Sequence, residues 1–135
     1  MTLPYIDSIS NFGWLFGSDW NSENSWRIPM ALKKIVINNQ IDKIKDYLFQ
    51  YCDTIQNIVL PDTTTDIGTC AFEGCSNLET IFIPKRVKTI GEAAFKDCES
   101  LNSVYIADIK SWCEINFASS NANPLFYAKN LYLNN

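Results

Sequence analysis

LETIFIPKRVKTIGEAAFKDCES, residues 78–100, follows directly on a near-copy of itself. Set beneath IQNIVLPDTTTDIGTCAFEGCSN (55–77), it matches in kind at Ile58/Ile81, Leu60/Ile83, Pro61/Pro84, Ile67/Ile90, Gly68/Gly91, Ala71/Ala94, Phe72/Phe95 and Cys75/Cys98, always at the same offset. One step back lies LKKIVINNQIDKIKDYLFQYCDT (32–54), which keeps Leu32, Ile35, Ile37, Ile44, Phe49 and Cys52 but has Asn38 in the proline slot and Lys45 in the glycine slot. One step forward, LNSVYIADIKSWCEINFASSNANPLFY (101–127) keeps Leu101, Val104 and Ile106 and then diverges. A further opening, AKNLYL (128–133), follows this longer unit. Self-similarity at a short fixed period is the signature of stacked repeats.

Each unit opens with apolar residues at its positions 1, 4 and 6, and the alternation at 4 and 6 is the period of a strand. A unit this short cannot cover its own apolar edge, so it must stack on its neighbours. Strands are therefore predicted near 34–37, 57–60, 80–83, 103–106 and 130–133, side by side and parallel in one sheet, ~4.8 Å apart. The proline after the strand ends it by removing a ladder donor. Gly68 and Gly91 are expected to permit a turn that other residues would strain. Phe72 and Phe95 then fill the interior on the far side. Read alone, IDKIKDYLFQYC is an amphipathic helix with Ile41, Ile44, Leu48 and Tyr51 on one face. The repeat register limits this to a helical turn around Lys45–Gln50, and to another near Glu92–Lys96. A short helix is predicted over Asp108–Cys113 with Asp108 as its N-cap.

The bulk properties exclude several classes. A chain of 135 residues with 47% hydrophobic and 19% charged residues has the composition of a folded domain. A net charge of -4 and a pI near 4.7 provide no footprint for nucleic acid and no attraction to anionic membrane surfaces. No apolar run approaches the ~18 residues of a spanning helix. MTLPYIDSIS has neither a basic leader nor an apolar core, so no signal peptide is read in this chain. The chain contains no histidine, which removes Ser-His-Asp and Cys-His nucleophile chemistry and His-ligated zinc.

The pattern L-x-x-I-x-I-P-x-x-V-x-x-I-G-x-x-A-F-x-x-C, met at nearly every position by residues 78–100, resembles the BspA-type leucine-rich repeat of bacterial and some protist surface proteins. ADIKSWCEINFASSNANPLFYAKNLYLNN resembles a divergent unit that recurs in such proteins. FGWLFGSDWNSENSWRIPMALKKIVI resembles the segment that leads into a run of repeats. The resemblance covers roughly residues 12–135. It implies a leucine-rich-repeat solenoid, α/β by class and strand-dominated, with a right-handed superhelix and repeats of ~23 residues. Residues 1–31 are then a capping lead-in and 32–135 the repeats, divided 32–54, 55–77, 78–100, divergent 101–127 and partial 128–135. The family usually continues past LYLNN into another repeat, so the last strand is expected to present an open edge, a surface for self-association. A secreted or cell-surface location is likewise what the resemblance implies.

Five cysteines are an odd set, so at least one is unpaired within the chain. Cys52, Cys75 and Cys98 share one slot and are expected to stack as a buried ladder, each packing as a small hydrophobe. Cys70 and Cys75 have a spacing that would allow a local pair, but no second pair completes a zinc site. Cys113 follows Trp112 and has no histidine to activate it. Position 5 of each unit points away from the core, giving Val36, Val59, Phe82, Tyr105 and Tyr132, a stripe that turns aromatic toward the C-terminus. Leucine-rich repeats generally bind partners on this face, and aromatics are enriched at interface hot spots. The competing reading is that neighbouring strands stabilise one another by cross-strand aromatic pairs. Lys33, Lys34, Gln56, Asn57, Glu79, Thr80, Asn102, Ser103, Lys129 and Asn130 flank the stripe with polar groups of mixed sign. Trp14, Phe16, Trp20 and Trp26 are expected to cap the first repeat, with a sugar-stacking platform as the alternative. No carboxylate pair, phosphate loop, calcium loop or glycosylation sequon stands out.

The sequence thus points to a non-enzymatic, cofactor-free module that binds a host or cell-surface protein or a glycan. Val59, Phe82, Tyr105 and Tyr132 are its candidate contacts. The alternatives are a structural spacer within a longer surface protein, with no ligand of its own, and an enzyme resting on Cys113 alone.

Overall fold

In the computed structural model, which describes residues 2–3, 29–39 and 41–133, five strands stand where the repeat dictates. They are β2 (Lys34–Ile37), β4 (Asn57–Val59), β6 (Thr80–Ile83), β8 (Ser103–Ile106) and β10 (Asn130–Leu133). All pair in parallel, and equivalent slots face one another: Ile35 with Ile58, Ile58 with Ile81, Ile81 with Val104, and Val104 with Leu131. β1 (Thr2–Leu3) adds to the outer side of β2, so the sheet runs β1-β2-β4-β6-β8-β10. The alternation that predicted the strands is the alternation of burial. Ile35 and Ile37, Ile81 and Ile83, and Val104 and Ile106 are buried, while Val36, Phe82 and Tyr105 between them are half-exposed. In β10 the corresponding Leu131 and Leu133 are exposed, since β10 is the outermost strand of the described sheet.

The expectation of a single sheet is corrected. β3 (Lys43–Ile44), β5 (Asp66–Ile67), β7 (Thr89–Ile90) and β9 (Asn116–Phe117) form a second parallel sheet in the order β3-β5-β7-β9. Each of these strands has two residues, one inward and one outward, too few to show an alternation in sequence. They pair because the repeat places Ile44, Ile67 and Ile90 at the same point of successive rungs.

Beyond the second sheet the chain returns through a turn that is hydrogen-bonded across rungs rather than along itself. The N–H groups of Tyr47, Phe49 and Tyr51 donate to the carbonyls of Thr69, Ala71 and Glu73, at 2.9, 2.8 and 2.7 Å. Those of Cys70, Phe72 and Gly74 donate in the same way to Glu92, Ala94 and Lys96. Donors committed to the next rung cannot also build an α-helical ladder, which is why the amphipathic pattern of residues 41–51 does not become a helix. The geometry instead requires left-handed backbone at two fixed slots: Tyr47, Cys70 and Ala93 (φ 61, 51 and 54), and Tyr51, Gly74 and Asp97 (φ 57, 71 and 59). Only one of these six is glycine, so the inter-rung bonds hold L-residues where they are ordinarily disfavoured by ~1–2 kcal/mol each.

The role expected of Gly68 and Gly91 is also corrected. Neither has positive φ. A Cβ on Gly68 would lie 2.5 Å from the Asp46 backbone nitrogen, and one on Gly91 would lie 2.5 Å from that of Thr69. These glycines are required because successive rungs approach one another backbone to backbone.

The core is a set of columns. Phe49, Phe72 and Phe95 are fully buried and stack with centroids 5.5 and 5.2 Å apart. Cys52, Cys75 and Cys98 form the expected buried ladder, unpaired as disulfides. The thiols do more than fill space: Cys75 Sγ donates to the Phe49 carbonyl (3.1 Å) and Cys98 Sγ to that of Phe72 (3.2 Å). The divergent unit inserts its extra length at one place. The stretch from Val104 to Phe117 is longer than its equivalents from Ile58 to Ile67 and from Ile81 to Ile90, whereas the return to the next strand keeps its length. The additional residues are taken up by α1 (Ile109–Cys113), whose N-cap Asp108 accepts from the Ser111 N–H (2.8 Å) as predicted. Phe117 then occupies the Ile90 slot and receives Trp112 edge-on, centroids 5.3 Å apart.

Phe72 stacks on a ring above and below, so Phe72→Ala is expected to cost about 3–5 kcal/mol of unfolding free energy in urea titrations. Phe82→Ala, on the outer face, should cost less than half as much. Equal losses would contradict the assignment of the two faces.

Candidate functional site

The sheet brings the predicted stripe together. Val36 pairs with Val59, Phe82 with Tyr105, and Tyr105 with Tyr132 in direct register. Val36, Val59, Phe82 and Tyr105 are half-buried and Tyr132 is 44% exposed. Tyr105 and Tyr132 stack at 5.1 Å, so part of the aromatic surface serves cross-strand pairing, worth ~0.5–1.5 kcal/mol. Polar neighbours form ladders of their own: Gln56 donates to Glu79 and Asn57 to Thr80. Trp14, Phe16, Trp20 and Trp26 lie outside the described residues.

At the C-terminal end of the same strands Phe82 borders a groove of about 460 Å³, lined also by Asp62, Thr63, Lys85, Arg86 and Ala107. Three rungs contribute to it, through the loops after β4, β6 and β8. Lys85 and Arg86 are exposed, and among the described residues neither forms an ion pair. The charge of Lys85 does contribute, after the bonds from Ser111, to holding the Asp108 carboxyl below the usual aspartate range. The part of these two cations in the surface was missed from sequence. The available signal was that Lys85 stands in the slot of Asp62, and Arg86 in that of Thr63, just beyond Phe82.

A second groove, of about 640 Å³, crosses the outer face of the smaller sheet over Gly68, Gly91 and Ala118. Its polar row is internally satisfied. Asp66 accepts from Thr89 (2.6 Å) and Thr65 (2.7 Å) and lies 3.7 Å from Lys43 Nζ. Those contacts hold the Asp66 carboxyl below the usual aspartate range, the Thr89 bond first among them. The buried Glu73 is similarly engaged, accepting from Gln50 (2.7 Å) and Lys96 (2.8 Å) one rung to either side. Burial opposes its charge, but the bonds from Lys96, Gln50 and Cys70 together outweigh burial and hold its pKa below the ordinary glutamate value. Both carboxylates fasten rung to rung.

The cysteines divide by depth. Burial pushes the Cys98 thiol up to about 12 and raises those of Cys52 and Cys75 as well. Cys70, half-buried and beside Glu73, rises to about 11. Cys113 is exposed on α1. Among the described residues no group of three His, Cys, Asp or Glu side chains is arranged to hold a metal ion, and no helix is long and apolar enough to cross a membrane.

Comparison with known proteins agrees with the architecture. The family model described as "BspA type Leucine rich repeat region" matches residues 23–133 in 6 copies. The crystal structure of a leucine-rich repeat protein from Bacteroides ovatus superposes with a TM-score of 0.59 at 26% identity, over 75% of this chain and 25% of that one. The chain thus spans about a quarter of the length of that protein. The leucine-rich repeat protein of T. pallidum aligns with a TM-score of 0.32 at 17% identity, over 76% of this chain and 73% of that one. No curated protein matches the chain.

Brief maleimide treatment of the native protein at neutral pH should give one fast adduct, on Cys113, with Cys70 slower and the other three reacting only in denaturant. Intact-mass spectrometry reads this directly, and loss of the fast adduct in Cys113→Ser assigns it. The depressed Glu73 pKa means that its contribution to stability is complete above the ordinary glutamate value of about 4.3 and is lost as the pH falls through the lower folded value. The Tm of the wild type should therefore fall more steeply between about pH 5 and pH 3 than that of Glu73→Gln. Parallel curves would show that Glu73 does not carry this dependence.

Proposed function

The chain belongs to the BspA-type leucine-rich repeat family, and from that premise we propose that it is a non-enzymatic binding module of a secreted or cell-surface protein. It engages a host or cell-surface protein, or a glycan, through the outer face of β6, β8 and β10. The observation that carries the reading is the register of Phe82, Tyr105 and Tyr132 on three adjacent strands. Rigid aromatic side chains held in a row offer contact area at low entropic cost and are typical anchors of an interface. The alternate slots of the same strands stay aliphatic, Ile81 and Ile83, Val104 and Ile106, Leu131 and Leu133, as a scaffold requires.

The spacer reading is favoured by a different observation. Tyr105 and Tyr132 stack on each other, and such a pair stabilises adjacent strands without any ligand. The two readings part on one double variant. In a screen against extracellular-matrix proteins and glycans, Phe82→Ala/Tyr105→Ala should weaken the hits by roughly tenfold or more, about 1.4 kcal/mol, with the fold retained by circular dichroism. Hits that bind the folded double variant as they bind the wild type would remove the stripe from the interface. Absence of any hit, with a lowered Tm in the variant, would favour the spacer.

A further inference from the structure

We infer that the groove beside Phe82 is a subsite for a carboxylated sugar, one pyranose unit bearing an acid group, held by Phe82, Arg86 and Lys85. The inference deepens the reading of the sheet face as a binding surface and rests on it. The volume of about 460 Å³ falls within the ~300–1,000 Å³ usual for small-ligand sites.

The chemistry of the walls narrows the occupant. Arg86 and Lys85 are exposed cations without an ion-pair partner among the described residues, in a chain whose net charge is -4. A guanidinium fork matches a carboxylate in bidentate geometry, and the ammonium adds a second donor. The same groove offers acceptors from the neighbouring rung: the Asp62 carboxylate, exposed and unpaired among the described residues, and the lone pairs of Thr63, whose hydroxyl proton goes to the Ile41 carbonyl (2.8 Å). The half-buried ring of Phe82 lines the groove as well. The complementary ligand therefore carries an acid, hydroxyl donors and a C–H face. An acidic pyranose has all three. An acidic peptide fits less well, because β4, β6 and β8 are each paired on both sides, leaving no free backbone edge for a peptide strand to join. The second groove lacks this signature, since its Asp66 is already bonded to Thr65 and Thr89.

The test is a titration of the intact protein with tetragalacturonate, with its methyl ester and with a tetraglutamate peptide, followed by calorimetry and by NMR of the Arg86 side-chain N–H. The free acid should bind and shift the Arg86 signal, the methyl ester should bind at least tenfold more weakly, and added salt should narrow that gap. Arg86→Gln and Lys85→Gln, both at exposed positions, should each reduce free-acid binding at least fivefold while leaving the Tm and the weak ester binding unchanged. No binding of the free acid, equal binding of acid and ester, indifference to Arg86→Gln, or tighter binding of the peptide would each overturn the inference. If screening hits are lost in Phe82→Ala/Tyr105→Ala but survive Arg86→Gln, the stripe remains the binding face and the acidic-sugar subsite falls alone.

Discussion

The three regular rungs, residues 32–100, are hydrogen-bonded to one another through the backbone along three separate stretches, the divergent unit joining them along the two sheets, and the rest of the structure follows from that constraint. The strands of the main sheet, the two-residue strands of the return and the turn that carries the phenylalanine all meet their equivalents one rung away. A polypeptide tied at three points per turn cannot gain or lose a residue freely, because the register of the following stretch would shift and its inward residues would face solvent. This explains why the repeats keep a constant step and why the one longer unit takes up its extra residues in α1, the connection between two tied stretches. It also explains the backbone. Left-handed conformations at Tyr47, Cys70 and Ala93 are locally unfavourable, yet they aim N–H groups at the next rung, where a buried unpaired donor would cost ~1–3 kcal/mol.

Side chains repeat the same logic. Glu73 lies between Gln50 and Lys96, and Asp66 between Lys43 and Thr89, each group answered by a residue of the neighbouring rung. The cysteine column is the clearest instance. Treated as a small hydrophobe, Cys75 satisfies only the demand for volume, but its thiol also donates to a Phe49 carbonyl that the adjacent turn leaves accessible. Alanine in that slot would keep much of the packing and lose the bond, so the residue type is set by hydrogen bonding as much as by burial.

How much of this was legible depended on how many residues each feature spans. The five main strands were readable from positions 4 and 6 of each unit, and Asp108 was readable as a cap because its slot falls where the repeat breaks into a helix. The second sheet was not, because Lys43–Ile44 and its equivalents expose only one alternation each. The glycines were read for φ when their cause was the backbone of the rung behind, a contact between different units that no local pattern expresses. The stripe was legible as a slot. The cations beside it were not, because the groove draws Asp62 and Thr63, Phe82 with Lys85 and Arg86, and Ala107 from three consecutive units.

Inward and outward slots of such a repeat are under different constraints. An inward slot is constrained by the rung on either side, so substitution there must suit two neighbours at once, and the sequence answers with Ile, Phe and Cys repeated. An outward slot answers to the solvent and to its cross-strand pair alone. Several outward slots change character along this chain: Val36 and Val59 give way to Phe82, Tyr105 and Tyr132, Asp62 to Lys85, and Thr63 to Arg86. In the position-5 and adjoining loop slots these changes coincide in one rung, residues 78–100, which is also the rung that fits the repeat pattern most closely. Strict repetition inside and departure outside are therefore compatible within a single unit. The packing that buries Ile81 and Ile83 is what turns Phe82 outward between them, beside a guanidinium that has no ion-pair partner among the described residues.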